Sequence, residues 1–379
     1  MTADEIIRGF NKAKADRMVV DNSWESYSYY IIPRKRGIQS TVQPGDKPEP
    51  DVYDSTAIES NLIMAAGLSG YLTNASQRWF DLQTRNQAIM EMSEVRSYFN
   101  TVSNLVYSAL AASNFYQQIN EVYLDMGAFG QGCLYCEDDV KEDIRYYARH
   151  PKEVYCIENE REIVDMIYRE FEMSAWQAYN MFGREIVGES VVQCVEERKD
   201  YGKMVKFLNY VAPRSVREVG KKDAKNMPYS SYYINMEDKK IVRESGYEEF
   251  PFMIPRFFKN SGEVYGYGPA ATSYPDIRMI NDMGKLYIQA QEIALYPPWL
   301  AENDGLMGSL DLRAAAINYQ RRPVSEGQSV VPLKSGTNFQ AAFEFLDRIE
   351  KRIQRAFFVD LFLALAQHKN MTATEVLER

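Results

Sequence analysis

The chain is poor in the side chains that most often carry chemistry: its 379 residues include four cysteines and two histidines. Cysteines this few and scattered do not make a disulfide framework. Cys133-Leu134-Tyr135-Cys136 has CxxC spacing, but a zinc ribbon needs a second ligand pair at suitable spacing. Cys156 and Cys194 stand alone and too far apart to supply one. Positions three apart on a strand also face opposite sides, so the cysteines read as structural. His150 precedes Pro151 with no cysteine or second histidine near it, which reads as a surface or turn residue rather than a catalytic base. Gly127 to Gly132 holds three glycines. It lacks the Lys-Ser/Thr of a phosphate loop and the order of a dinucleotide fingerprint, and reads as a tight passage from helix to strand. The sequence therefore predicts no catalytic residues, no metal and no cofactor.

Basic charge is also missing. Lys and Arg number 44 against 53 Asp and Glu, a formal net charge of -9. A protein that grips DNA shows a basic footprint, because its cations release counterions from phosphates. Such gripping is excluded here, whereas sliding past nucleic acid is not. The longest apolar run, Ala356 to Ala366, is interrupted by Asp360 and is too short to cross a bilayer. The N-terminus lacks a charged-then-apolar signal layout. The expected setting is reducing and soluble.

What is present is ordinary globular material with a high aromatic content. Hydrophobic residues make up 45%, charged residues 26% and aromatics 13%, including 27 Tyr and 18 Phe. That aromatic load fits a part-wet interface or an aromatic-rich core equally well.

The apolar spacing divides the chain into three blocks: helical to about 130, β-rich over 131–260, and helical over 270–379. Thr2 and Glu5 make a capping-box pair for a helix over 2–33. Its stripe is Ile6, Phe10, Ala13, Arg17, Trp24, Tyr27 and Ile31. Residues 34–50 read as a long loop, and Asp54-Ser55-Thr56 caps a helix over 56–73. Trp79 to Leu82 is a short extended piece, and a helix follows over 92–126. Strands are predicted at 133–137, 145–156, 162–172, 229–234 and 240–244, with a hairpin over 191–211 turning at Asp200-Tyr201-Gly202. Ser174 and Gln177 open a short helix that Gly183 closes.

Tyr265 to Leu363 carries the most information. A first rod opens at Ser273-Tyr274-Pro275-Asp276 and is stopped by Pro297-Pro298; from 275 to 296 it would be ~33 Å long. Ile277, Ile280, Met283, Tyr287, Ala290 and Ala294 fall on one side, and Arg278, Asp282, Lys285, Gln289 and Glu292 on the other. A second rod runs from about Asn338 to Leu363. Its apolar stripe is Phe339, Phe343, Leu346, Ile349, Ile353 and Phe357, and Glu344, Asp347, Arg348, Lys351 and Arg355 make the charged one. Arg278–Asp282, Glu344–Arg348 and Asp347–Lys351 are spaced as i,i+4 ion pairs. Past Phe357 the stripe widens to Phe358, Val359, Leu361 and Phe362, an end that must be covered on all sides. Glu350 and Asp360 lie on the apolar side with no partner nameable within the chain. Trp299 to Gly336, with Arg321-Arg322-Pro323, reads as a small module of strands and turns. Gln367-His368-Lys369-Asn370 is a polar tip. Thr372 to Val376 then opens a helix inside which the sequence ends, so a longer protein is expected. Paired rods with one apolar and one charged stripe are architectural, and assembly is the expectation.

The order of these pieces resembles the portal proteins, or head-to-tail connectors, of short-tailed bacteriophages. The resemblance rests on Trp24 to Pro33, Tyr53-Asp54-Ser55-Thr56, Ala65-Ala66-Gly67-Leu68, Trp79-Phe80, Tyr168-Arg169-Glu170-Phe171 with Phe182-Gly183, and Ser245 to Phe252. It continues through Tyr265-Gly266-Tyr267-Gly268-Pro269, Pro275-Asp276-Ile277, Pro297-Pro298 and Thr372-Ala373-Thr374-Glu375-Val376. Each is weak alone; their joint order is specific. One departure is Tyr267, where the family often carries a basic residue.

The resemblance implies an α+β, largely helical fold with a wing, paired stem helices and a small clip. The wing would be 1–270, the stem helices 271–297 and 338–363, the clip 298–337, the tunnel loop 364–371 and the start of a tunnel helix 372–379, with a crown beyond. It implies a ring of about twelve copies at one capsid vertex, conducting double-stranded DNA during packaging and ejection. Partners would be the large terminase as packaging motor, a tail adaptor, and the major capsid and scaffolding proteins, with assembly in the bacterial cytoplasm. Glu344, Asp347, Arg348, Lys351, Arg355, His368, Lys369 and Asn370 are then the DNA-channel candidates. A solvated face explains the rod charges as readily, and an exposed loop explains the tip. Glu350, Asp360, Phe357, Phe358 and Phe362 are subunit-contact candidates; Trp299, Arg321 and Arg322 are docking candidates in the clip. The alternatives are another oligomeric virion component, such as a tail adaptor or scaffold, and an enzyme built around a metal on the cysteines.

Overall fold

The computed structural model describes residues 2–40, 51–139, 143–218, 220–221, 223–296, 299–301, 330–332 and 339–367. The helices are α1 (Ala3–Ile31), α2 (Thr56–Tyr71), α3 (Gln87–Met90), α4 (Ser93–Ala112), α5 (Phe115–Phe129), α6 (Ala175–Phe182), α7 (Glu189–Val192), α8 (Pro269–Leu295), α9 (Phe339–Ala356) and α10 (Val359–Gln367). The strands are β1 (Leu134–Asp139), β2 (Asp143–Ala148), β3 (Val154–Glu158), β4 (Val164–Ser174), β5 (Met204–Pro213), β6 (Tyr229–Asn235), β7 (Lys240–Tyr247), β8 (Phe252–Met253), β9 (Trp299–Ala301) and β10 (Val330–Pro332). The fold is α+β, and the three expected blocks appear in order.

The N-terminal helix forms as its capping pair dictates: Thr2 accepts from the Glu5 amide while the Glu5 carboxylate accepts from Thr2. At 29 residues it is ~43 Å long and serves two cores. Ile6, Phe10 and Ala13 pack on Tyr155, Tyr168, Leu208 and Tyr210 of an antiparallel sheet ordered β3-β4-β5-β6-β7. Trp24 and Ile31 enter a second core with Met64, Phe129, Ile277, Ile349, Ile353 and Phe357. The alternation of β5 explains the layering: Leu208 and Tyr210 face α1, while Val205, Phe207 and Val211 face the other way. There Phe207 meets α6 and α7, and Val211 meets Cys133 and Tyr135 of the smaller β2-β1-β8 sheet. Both Cys133 and Cys136 are free, and they point into different clusters as strand geometry requires.

Several boundaries differ from the sequence reading. The helix placed at 92–126 is two helices, because the chain is extended at Ser113 before Phe115 opens α5. The strand placed at 145–156 breaks at Pro151, which opens a single 3₁₀ turn between β2 and β3. The hairpin over 191–211 does not form. Residues 189–197 are helical instead, burying Val191, Cys194 and Val195, and β5 pairs with β4 and β6. Gly188 at φ 105° opens that helical stretch, and Asp238 accepts from the Ser190 amide and hydroxyl. Gly130 at φ 78° closes α5, and the passage to β1 is so tight that a Cβ at Gly130 or Gly266 would meet the other residue's backbone.

His150 lies at a turn but not freely on the surface. Its Nδ1 accepts from the Lys152 amide at 3.1 Å and its Nε2 donates to Lys35 O at 3.0 Å. Burial, with Lys35, Lys152 and Arg17 nearby, pushes its pKa down to about 3. Among the described residues no cluster of three or more His, Cys, Asp or Glu could hold a metal, and no helix is long and apolar enough to cross a membrane.

Candidate functional site

The paired rods exist as α8 and α9, and they pack against one another. The first starts earlier than its proline suggested. Gly268 and Pro269 open α8, and Pro275 sits inside it. Proline removes one amide bond there, and Ser273 Oγ donates back to Pro269 O at 2.8 Å. The first half of α8 is fixed by its neighbours: Ile277 and Ile280 are buried, and Asn281 accepts from the Tyr53 amide at 2.7 Å while donating to Asp51 O at 3.2 Å. The second half is not covered. Leu286, Ile288, Ile293, Leu295 and Tyr296 are 63%, 51%, 46%, 76% and 81% exposed.

On α9 the stripe is buried at Ile349, Ile353 and Phe357 but open at its beginning, where Phe343 is 65% exposed. The charged stripe faces out: Glu344, Arg348, Lys351 and Arg355 are exposed and Asp347 is half-buried. Asp347 pairs with Lys351 at 2.7 Å. The other two expected pairs are not closed. An unforeseen one joins the rods instead, Arg352 to Asp276 at 3.0 Å.

The second rod is not continuous to Leu363. It breaks at Phe357-Phe358, where Phe358 adopts φ 58°, a costly conformation for a bulky residue. The break buries Phe357 fully and stacks Phe358 on Phe257 at 6.0 Å. It also lets α10 lie on α2, with Phe362 against Gly67 and Tyr71. Asp360 consequently does not sit on a buried face: its side chain is 68% exposed and lies 3.7 Å from Arg355. Glu350 is half-buried and has no cation bonded to it among the described residues. Desolvation, then Asp54 and Asp347, raises its pKa. Residues 364–367, expected in a loop, continue α10. His368, Lys369, Asn370, Arg321 and Arg322 lie outside the described residues. Trp299 opens β9, which pairs with β10.

The sequence reading missed the clamp that ties α1 to the sheet. Arg17 donates to Pro151 O, Val154 O and Lys152 O at 2.9, 2.7 and 2.7 Å. It pairs with Asp21 at 2.8 Å and lies 3.6 Å from the Tyr155 ring centroid. The signal was present: an arginine in an otherwise apolar stripe is a buried cation awaiting acceptors.

The described geometry is two rods on a double core, with apolar ends left open. A family model described as bacteriophage head to tail connecting protein matches residues 3–379. The chain belongs to this family. The chain is 27% identical over 390 residues to a protein named probable portal protein of Bordetella phage BPP-1, a match covering 99% of this chain and 68% of that one. It is also 27% identical over 368 residues to a portal protein of Salmonella phage epsilon15, covering 96% of this chain and 66% of that one. The chain thus spans about two thirds of the length of these relatives. Membership makes it a structural rather than catalytic component of the phage particle, placed at the capsid vertex and assembling with capsid and tail components.

Proposed function

We propose that the chain is the portal subunit, that about twelve copies close into a ring, and that double-stranded DNA passes through this ring during packaging and ejection. The observation that carries the reading is the open half of α8 together with Phe343 and Phe345 of α9, the latter 40% exposed. Two neighbouring helices that each leave large apolar side chains in water call for further copies to cover them. The charges of this α9 face are mixed in sign, exposed Glu344 and half-buried Asp347 against exposed Arg348, Lys351 and Arg355. A lining of that kind lets phosphates pass without the tight binding that a basic surface gives.

On this reading 1–270 is the wing, 271–297 and 338–363 are the stem, 298–337 is the clip and 364–379 leads into the tunnel. The clip would receive the large terminase first and the tail adaptor after filling. The wing would meet the major capsid and scaffolding proteins, during assembly in the host cytoplasm. Native mass spectrometry of the purified chain tests the ring: a single closed species of about twelve copies is expected, and a persistent monomer would overturn the proposal.

A further inference from the structure

Two faces of the helical region stand out because they carry no charge. From Ser60 to Gln77 there is no Asp, Glu, Lys or Arg, and from Ser97 to Asn120 there is none, in a chain that is 26% charged. The first stretch covers most of α2, the second most of α4.

On one side α4 is held to its own subunit. Leu110 and Ser103 are buried, Leu82 N donates to Ser103 Oγ, and Tyr107 Oη donates to Phe80 O at 2.8 Å. The adjacent side is open. Val95, Tyr98, Val102, Leu105 and Ala109 follow a 3-4-3-4 spacing, and Tyr98 and Leu105 are each 65% exposed. Ile89 and Met92 continue the line upstream at 42% and 57%. That spacing is the seam of a helix made to lie along another helix. Across α2, the outward positions on one face are Leu62, 52% exposed, then Ala66 and Gly70. A Cβ at Gly70 would meet nothing within 4 Å. Leu62, Ala66 and Gly70 are spaced four apart on one face of α2, and the two small residues below Leu62 leave a shallow groove for a ridge of large side chains.

In a ring of identical subunits every contact is between two different patches of the same chain. The ridge on α4 and the groove on α2 are two such patches, both free of charge as interface centres tend to be. We infer that α4 of one copy docks through Tyr98 and Leu105 onto the Leu62–Ala66–Gly70 face of α2 in a second copy. The inference rests on the ring reading and adds a contact outside the paired rods.

Cysteines placed at Ala66→Cys and Leu105→Cys in one chain test it, under copper–phenanthroline oxidation of the assembled protein. With Cys136, the one half-buried native cysteine, changed to Ser throughout, the expected result is a ladder of covalent multimers, absent from either single variant and from the parent, whose Cys133, Cys156 and Cys194 are buried. Tyr98→Glu with Leu105→Glu should leave the subunit folded, since both side chains are largely exposed, and lower the yield of closed rings at least ten-fold. A double-cysteine protein that closes rings but forms no inter-chain cross-link, or only a cross-link within one chain, overturns the docking while leaving the ring intact. A cross-link-free double Glu variant that still closes rings normally does the same. A parent chain that never leaves the monomeric state overturns both the docking and the ring.

Discussion

The ring of Phe362 occupies the space that a side chain at Gly67 would fill. This contact fixes α10 on α2, and Tyr71 stacks on the same ring at 6.4 Å between centroids. Gly67→Val should therefore displace α10 and cost about 1–3 kcal/mol by overpacking. Phe362→Ala removes the clash. In the double variant the valine penalty should shrink, so the two changes couple rather than add. Denaturant midpoints of the four proteins give the coupling directly.

Arg17 supports a sharper stability prediction. Its guanidinium satisfies three carbonyls and one carboxylate inside the protein. Arg17→Ala should cost about 3–5 kcal/mol, because it strands Asp21, the two buried acceptors Pro151 O and Val154 O, and the part-buried Lys152 O. Arg17→Lys should recover little, since an ammonium cannot reproduce the fork that reaches both the 151–154 turn and Asp21. Full recovery in thermal denaturation would show that the fork geometry is unimportant.

Two buried groups oppose each other in acid. Asp125 is buried with Lys35 at 2.6 Å and Glu121 nearby, and desolvation raises its pKa from 3.8 to about 6. Between those values the folded state holds a proton that the unfolded chain has lost, so this group's contribution falls as pH rises from 4 to 6. His150 has the opposite sense: burial lowers it from 6.5 to about 3. Its contribution is complete above pH 6.5 and is lost as pH falls toward 3. His150→Gln should therefore make the protein gain stability on acidification from pH 6 to 4. Asp125→Asn should make it lose stability more steeply than the parent. Chemical denaturation at several pH values separates them.

Glu350 has Asp54 and Asp347 as neighbours and Lys351 as its nearby cation. Glu350→Lys replaces a repelled charge by an attracted one, so the subunit should remain folded. We expect it to impair ring closure, which native mass spectrometry reads. Normal rings would show that Glu350 is not at a contact between copies.

Much of the fold was legible because local rules and tertiary packing agree. The Thr2–Glu5 and Ser174–Gln177 capping boxes formed as spelled, and the stripe from Ile6 to Ile31 is the buried one. The failures have identifiable causes. Pro275 looked like a helix start, but Pro269 supplied a better one and the interior proline was tolerated. Residues 191–198 are rich in valine and looked like strand, yet Gly188 and Asp238 hold them helical. The break at Phe358 was invisible, because nothing in a run of aromatic and aliphatic residues announces a positive φ. It is set by the docking of Phe362 on Gly67, a contact nearly three hundred residues apart in sequence. For the same reason Asp360 was misplaced on a buried face. The charged stripe of α9 was read correctly as a face and its Asp347–Lys351 pair formed, but Glu344–Arg348 did not close and Arg352 reaches across to Asp276 instead.

In a closed ring the open ends of α8 and α9 are covered by neighbouring copies. Alkylation rates of Leu286→Cys and Leu295→Cys, measured on the assembled protein and on the same protein dissociated in mild denaturant, test this directly. Covered ends predict labelling that is at least ten-fold slower in the assembly at both positions. A closed ring in which both thiols react as fast as in the dissociated chain would contradict it.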